Sequence, residues 1–178
     1  MDGGSFLLIY GPPATGKTRI AFEVAKYVLG RGRDAAVLAT ESGTTAYARA
    51  VATCVPTYVA LSVEELLEEV IYAASKGAFV VVDSINWPFR SAPTERSLAV
   101  LSFISSVLKQ VGGLAVGQVA EVGGETEMAL GRWVIPWADL VGRTKRLGKE
   151  ARAELEVLKP FRRTIPYELT AEGVRWLA

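Results

Sequence analysis

Gly11, Pro12, Pro13, Ala14, Thr15, Gly16, Lys17 and Thr18 follow the pattern G-x-x-x-x-G-K-T, whose residue types and spacing suit holding a chain of phosphates. The framing glycines let backbone N–H groups turn inward on an anion. A lysine in the position of Lys17 reaches the terminal phosphates, and a hydroxyl in the position of Thr18 is a hard ligand for Mg²⁺. The plain alternative is a glycine-rich turn before a helix. The flanking residues favour the phosphate reading: Phe6 to Tyr10 is an apolar run that reads as a buried strand. After the loop, Ile20, Ala21, Val24, Ala25 and Val28 recur at helical spacing, so a helix N-terminus adds its positive dipole end. Strand, loop and helix together predict a site for a nucleoside triphosphate with Mg²⁺.

Two carboxylates extend this chemistry. Asp83 closes a valine-rich run, Ala78–Asp83, at the carboxyl end of a strand, where α/β sheets place their ligands. It reads as the second Mg²⁺ ligand beside Thr18, or as a strand-end aspartate capping the next turn. Gly-Pro-Pro-x-Thr-Gly-Lys-Thr is common in the AAA+ class, which usually follows its metal aspartate with a catalytic glutamate; here Ser84 follows. A base must then come from elsewhere. Glu41 ends a strand expected to lie next to the Phe6–Tyr10 strand, so its carboxylate reads as the group that deprotonates an in-line water, or as a helix cap.

Composition sets the bounds. The 178 residues are 50% hydrophobic and 22% charged, which fits one globular core. The net charge is +1; residues 1–131 hold 10 Lys/Arg against 13 Asp/Glu, and residues 132–178 hold 10 against 6. Nucleic-acid binding through overall charge is therefore excluded, and the C-terminal excess reads as a solvated basic face. The absence of histidine rules out imidazole bases and metal ligands. A lone cysteine, Cys54, forms no internal disulfide and predicts a reducing, cytoplasmic setting, while no apolar run is long enough for a membrane span.

The positioning elements follow from pattern. Further strands are expected at 35–39, 57–61 and 114–117, the last ending at Gln118, and helices at 44–54, 62–75 and 94–111. Ser62 and Glu65 form a capping-box pair with Leu61 and Leu66 as its hydrophobic staple. Val63, Leu66, Leu67, Val70, Ile71 and Ala74 form that helix's inward face. Glu64, Glu65, Glu68 and Glu69 make a solvated outer face, not a metal cluster. Residues 119–131 read as a polar, mobile loop, and β-rich segments follow at about 139–146, 152–159, 165–169 and 174–177. This predicts an α/β fold: a mostly parallel twisted sheet flanked by helices, with a C-terminal antiparallel extension.

With Thr40-Glu41, Val82-Asp83-Ser84, Phe89-Arg90 and a strand ending at Gln118 in place, the chain resembles the ATPase core of the RecA/RadA recombinases, in particular the archaeal RadB-like paralogs. Leu130-Gly131 with Trp137, the strand Val141–Leu147, Val157-Leu158-Lys159 and Tyr167–Gly173 extend the likeness to the C-terminus. The resemblance implies a RecA-like P-loop fold and ATP as the nucleotide. It puts Lys17 and Thr18 on phosphate and Mg²⁺, Asp83 on Mg²⁺, Glu41 as the water-activating base and Gln118 as a γ-phosphate sensor. It also implies Arg49 on the adenine and Lys159, with Arg162, as a cation offered to a neighbouring subunit, although Lys159 reads equally as a surface lysine.

The departures shape the expected function. The organisation expected is a single ATPase core over residues 1–178 with no N-terminal DNA-binding domain and no upstream polymerisation segment. Phe22-Glu-Val-Ala25 reads as core. Between Gln118 and Arg132 there is no Lys or Arg, while Glu121, Glu125 and Glu127 repel phosphates. Trp87, Trp133 and Trp137 are read as packing rather than base-stacking groups. The resemblance with these departures implies a weak or partner-dependent ATPase, accessory or regulatory in DNA repair and homologous recombination. Its expected partners are a recombinase or other repair protein, weakly bound DNA, and further copies of itself. The alternatives are a KaiC-like regulatory ATPase acting through protein contacts without nucleic acid, and a nucleotide-gated module that does not hydrolyse.

Overall fold

A computed structural model of the chain describes residues 4–91, 93–122, 125–148 and 151–177. Among these residues, ten strands join in one sheet: β1 (Phe6–Gly11), β2 (Ala35–Ala39), β3 (Thr57–Val59), β4 (Phe79–Asp83), β5 (Gly113–Val122), β6 (Glu125–Met128), β7 (Leu140–Arg146), β8 (Arg152–Lys159), β9 (Arg163–Leu169) and β10 (Val174–Trp176). Their order across the sheet is β10-β9-β8-β7-β1-β5-β4-β2-β3, with β6 pairing β5 off that path. Strands β3, β2, β4, β5, β1 and β7 are parallel, and β8, β9 and β10 add antiparallel strands to the β7 edge. The fold is thus α/β, a mostly parallel mixed sheet flanked by helices. The first strand of the β-rich tail, β7, belongs to the parallel part because it pairs directly with β1, Leu7 opposite Leu140 and Tyr10 opposite Arg143.

One sequence expectation about neighbours is corrected. Glu41 follows β2, and β2 does not adjoin β1: β4 and β5 lie between them. On that side the neighbour of β1 is β5, which places Gln118 opposite Gly11. Parallel strands in right-handed crossovers need not be sequential neighbours, and here the first crossover passes over two positions that β4 and β5 later fill.

Among the described residues, four α-helices cover the sheet: α1 (Lys17–Gly30), α2 (Ser42–Val51), α3 (Val63–Ser75) and α4 (Glu95–Val111). Strand alternation divides the core in two. Phe6 and Leu8 of β1 with Val80 and Val82 of β4 face Leu66, Val70, Leu101, Ile104 and Leu108 of α3 and α4. Ile9 and Val81, one residue out of phase, face Ile20, Phe22 and Ala25 of α1 and Ala48 of α2, and this cluster continues to Leu155 and Tyr167. Phe22 is fully buried, in agreement with its reading as core.

Local signals show where pattern and packing part. Ser62 Oγ accepts from the Glu65 N–H at 3.1 Å, as a cap should, but Glu65 Oε2 reaches past Ser62 to the Leu61 N–H at 2.8 Å. Leu61 stays 67% exposed and adds little to the expected staple. Ile71, expected inside α3, is 46% exposed, whereas Ala73 is buried. The inward stripe runs through Leu66, Val70 and Ala73, because α3 is rotated to pack against α4. Helix α2 starts at Ser42 rather than 44, since Glu41 occupies the N-cap position, and it ends at Val51. Residues 119–131 are not a loop throughout. Strand β5 continues to Val122 and returns as β6, with Val119 opposite Met128 and Ala120 opposite Glu127. Buried Met128 packs its side chain over Gly117 and pins this hairpin to the sheet.

Among the described residues no helix is long and apolar enough to cross a membrane. Among the described residues no group of three or more His, Cys, Asp or Glu side chains is placed to hold a metal ion.

Two measurements test these assignments. Truncation of the fully buried Leu101 to alanine lowers the unfolding free energy by about 2–5 kcal/mol, whereas Ile71→Ala changes it by about 0.5 kcal/mol or less; equal losses in urea titrations would return Ile71 to the core. Glu156 accepts charge-assisted bonds from Lys145 and Arg143 between β7 and β8, which hold its carboxyl down from the ordinary 4.5 to about 2. A depressed carboxyl stabilises the fold above its unfolded pKa, so this contribution is complete above about pH 4.5 and fades as pH falls toward 2. Glu156→Gln flattens the stability profile across that interval; an unchanged acid limb overturns the assignment.

Candidate active site

The loop between β1 and α1 owes its shape to two glycines and to the C-terminal strands. Gly16 takes φ 89° as the N-cap of α1, and a Cβ there would run into the side chain of Leu169. Gly11 passes so close to Thr144 of β7 that a Cβ would meet its hydroxyl and carbonyl. Ala14 also sits in the left-handed region, at φ 59°, a conformation that costs a non-glycine residue about 1–2 kcal/mol. Hydrogen bonds hold this conformation. Thr15 Oγ1 donates to the Pro12 carbonyl at 2.9 Å and shares a buried 2.7 Å bond with Thr144 Oγ1. The hydroxyl of Tyr167, a fully buried residue of β9, donates to the Thr15 carbonyl at 2.7 Å. Burial pushes the Tyr167 hydroxyl's pKa well up and keeps it a donor.

At the carboxyl ends of β1, β4 and β5 a cavity of about 380 Å³ is lined by Gly11, Lys17, Thr18, Glu41, Asp83 and Gln118, with Thr44 and Arg90 on its walls. Lys17 Nζ donates to the Pro12 carbonyl at 2.7 Å. Asp83 is 3% exposed, and Thr44 Oγ1 donates to its Oδ2 at 2.9 Å. Glu41 follows β2 with its carboxylate turned across the strand ends. Ser84 Oγ donates to its Oε1 at 2.5 Å, and Gln118 Nε2 donates to its Oε2 at 2.7 Å. Glu41 therefore occupies the N-cap position of α2 without making a side-chain cap. Arg90, beyond the 3₁₀ turn Trp87–Phe89, completes the row by donating to Gln118 Oε1.

Burial dominates the electrostatics. It pushes the Asp83 carboxyl up, against the lowering effect of hydrogen bonds from Thr18 and Thr44 and of the nearby Lys17 ammonium; Glu41 adds a raising effect. Burial pushes Lys17 down, opposed by Asp83 and Glu41. A dry carboxylate beside a hydroxyl is a donor set of hard oxygens, which Mg²⁺ prefers together with phosphate oxygens and water. Thr18 and Asp83 fit that ion.

Of the residues singled out by sequence, Gly11, Pro13, Ala14, Lys17, Thr18, Glu41, Asp83 and Gln118 share this one cavity. Pro12, Thr15 and Gly16 shape it through the bonds and close packing just described. Arg49 lies exposed near the end of α2 and is not among the lining residues. Lys159 pairs with Val141 near the start of β7 and donates to the Ala138 carbonyl, so it points toward the amino ends of the parallel strands, away from its own chain's loop. Trp133 and Trp137 pack on α4 through Ser102, whose hydroxyl donates to the Trp133 carbonyl at 3.2 Å and accepts from Trp137 Nε1 at 3.3 Å.

Several contributors escape sequence reading. Tyr167 and Thr144 are distant in sequence, and nothing local marks them. Thr44 sits where any helix former would serve. Asn86, fully buried, brackets Gln118: its amide donates to the Gln118 and Ala129 carbonyls at 2.9 and 3.0 Å and its oxygen accepts the Gln118 N–H at 3.1 Å. A lone asparagine just past a buried strand was a usable signal.

No protein-family model matches this sequence, and no curated protein does.

The grip of β9 on the loop is testable. Tyr167→Phe leaves the buried Thr15 carbonyl unpaired, a loss of about 1–3 kcal/mol in stability, with faster amide hydrogen exchange across residues 12–16. Unaltered exchange in that stretch would show that the loop keeps its shape without β9.

Proposed function

We propose that the protein is a Mg²⁺-dependent ATPase with a RecA/RadA-type core, serving as an accessory or regulator in DNA repair and homologous recombination. The observation that carries the catalytic part is the convergence of Lys17, Thr18, Asp83 and Glu41 on one cavity at the carboxyl ends of β1, β4 and β5. In this reading the loop N–H groups and the N-terminus of α1 cradle the β- and γ-phosphates, and Lys17 moves from the Pro12 carbonyl to a phosphate oxygen. Thr18 and Asp83 hold Mg²⁺, which supplies charge neutralisation on the phosphates. Glu41 takes the proton of a water attacking the γ-phosphorus as the bond to the ADP oxygen breaks. Its two oxygens already accept from Ser84 and Gln118. Each retains a second lone pair for the water, so these bonds orient the base without consuming it. Arg49 on the adenine and Lys159 toward a second subunit are parts of this reading that rest on the family resemblance.

The place in DNA metabolism rests on that same resemblance and on the hairpin beside the site. Strands β5 and β6 present Glu121 and Glu127 to solvent next to Gln118, where DNA phosphates would be repelled. An ATPase with this hairpin works on DNA through a basic partner, or weakly. The same acidity favours the second reading, a KaiC-like regulatory ATPase that acts on proteins alone.

Glu41→Gln lowers kcat for ATP about 10²–10⁴-fold while the ATP dissociation constant stays within a few-fold, and Lys17→Ala loses tight ATP binding. Full turnover by the Glu41→Gln chain would remove Glu41 from the chemistry. Wild-type chain that retains ATP without releasing phosphate would make it a nucleotide-gated binding module. Fluorescence anisotropy with single- and double-stranded oligonucleotides at low salt, with and without ATP, is expected to show weak binding; none under any condition, with a stable ring by light scattering, favours the protein-only reading.

A further inference from the structure

Two cations line the phosphate cavity among its described residues: Lys17 from below, on the loop, and Arg90 from the connection after β4. Arg90 is tethered twice, through Nη1 to Gln118 Oε1 and through a guanidinium that lies 5.9 Å from the centre of the Trp87 ring. Gln118 spends the other end of its amide on Glu41 Oε2, so the expected base and this cation hang from a single side chain. Lys159 points away from its own chain's cavity. Among the described residues that line the cavity, Arg90 is thus the cation besides Lys17.

We propose that Arg90 is a catalytic residue acting in cis, an arginine finger that contacts the γ-phosphoryl group in the transition state. This rests on the ATPase reading above. As the water oxygen bonds to the γ-phosphorus, the bridging P–O bond breaks and its electron pair leaves with ADP, while the water proton passes to Glu41. Arg90 gains and loses no proton. Its planar, permanently charged fork offsets the negative charge that spreads over the transferring group and the leaving oxygen. Through Gln118 the arrival of that charge is felt by Glu41 as well, which links loading of the cation to release of the base. The exposure of Arg90 outside any buried cluster means that replacing it leaves the core untouched.

The test uses the full chain and three ligands: ATP, ADP, and ADP with aluminium fluoride and Mg²⁺ as a transition-state mimic. Arg90→Ala is expected to lower kcat about a thousandfold or more, to leave ADP affinity within about threefold, and to abolish the extra tightness of the aluminium fluoride complex. Arg90→Lys recovers only a small part of kcat, because an ammonium lacks the fork. Mixing the Arg90→Ala chain with the Glu41→Gln chain restores no turnover if the cation acts in cis; restored turnover overturns the proposal in favour of a trans role. Retained kcat in Arg90→Ala overturns it outright. A lost kcat with the aluminium fluoride tightening intact also overturns it, leaving Arg90 only as a positioning residue for Gln118. Wild-type chain that binds ATP without turnover removes the ATPase reading and this proposal together, whereas the other outcomes leave that reading standing.

Discussion

Thr15 is held from three directions, and the geometry of the site depends on that grip. Its hydroxyl bonds the Pro12 carbonyl and Thr144, and its carbonyl accepts the buried hydroxyl of Tyr167. A loop of glycines and prolines has many accessible shapes, and a binding site built on it would spend its binding free energy on selecting one. Here the selection is made by β7 and β9. Gly16 packs against Leu169 of β9, and two of the three bonds on Thr15 exist only when β7 and β9 are docked. The antiparallel extension is therefore part of the site although the one expected cation it carries, Lys159 of β8, points away from its own chain's cavity.

The second organising group is the Gln118 amide. Asn86 fixes its backbone, β6 and Met128 anchor the hairpin it opens, and its side chain bridges Glu41 and Arg90. Ser84 holds the other oxygen of Glu41. A carboxylate restrained on both oxygens is held in one orientation, as the proposed role of Glu41 as base requires. The same amide ties the cavity that holds Lys17 to the acidic hairpin of Glu121 and Glu127.

Much of this was legible in the sequence because the informative signals are local. G-x-x-x-x-G-K-T concentrates its chemistry in eight residues, strand periodicity is two, helix periodicity is 3.6, and Asp83 ends a run whose burial its valines announce. The misreadings also have local causes. Ile71 fits the apolar stripe of α3 as well as Ala73 does, and only packing against α4 decides between them. The polar residues after Gln118 hide a hairpin because its register is held by Met128 against Gly117, a contact across strands. The neighbour relation assumed for Glu41 failed because strand order is a property of crossovers, not of chain order.

By itself the sequence determined that a glycine-framed loop is followed by a helix, that Asp83 ends one strand and Glu41 follows another, and that β-rich segments come after them. Each of these rests on backbone preference and burial within a few residues. Tertiary structure alone decided that Glu41, two strands removed from the loop strand's own neighbour, reaches Gln118, that Arg90 faces the same cavity, and that Tyr167 reaches Thr15 across 152 positions. Such pairings are set by strand order and sheet twist, which sum contributions from the whole core. Lys17 and Thr18 could be read from their neighbours; what shapes the loop that carries them could be seen only once the last strands had folded back upon it.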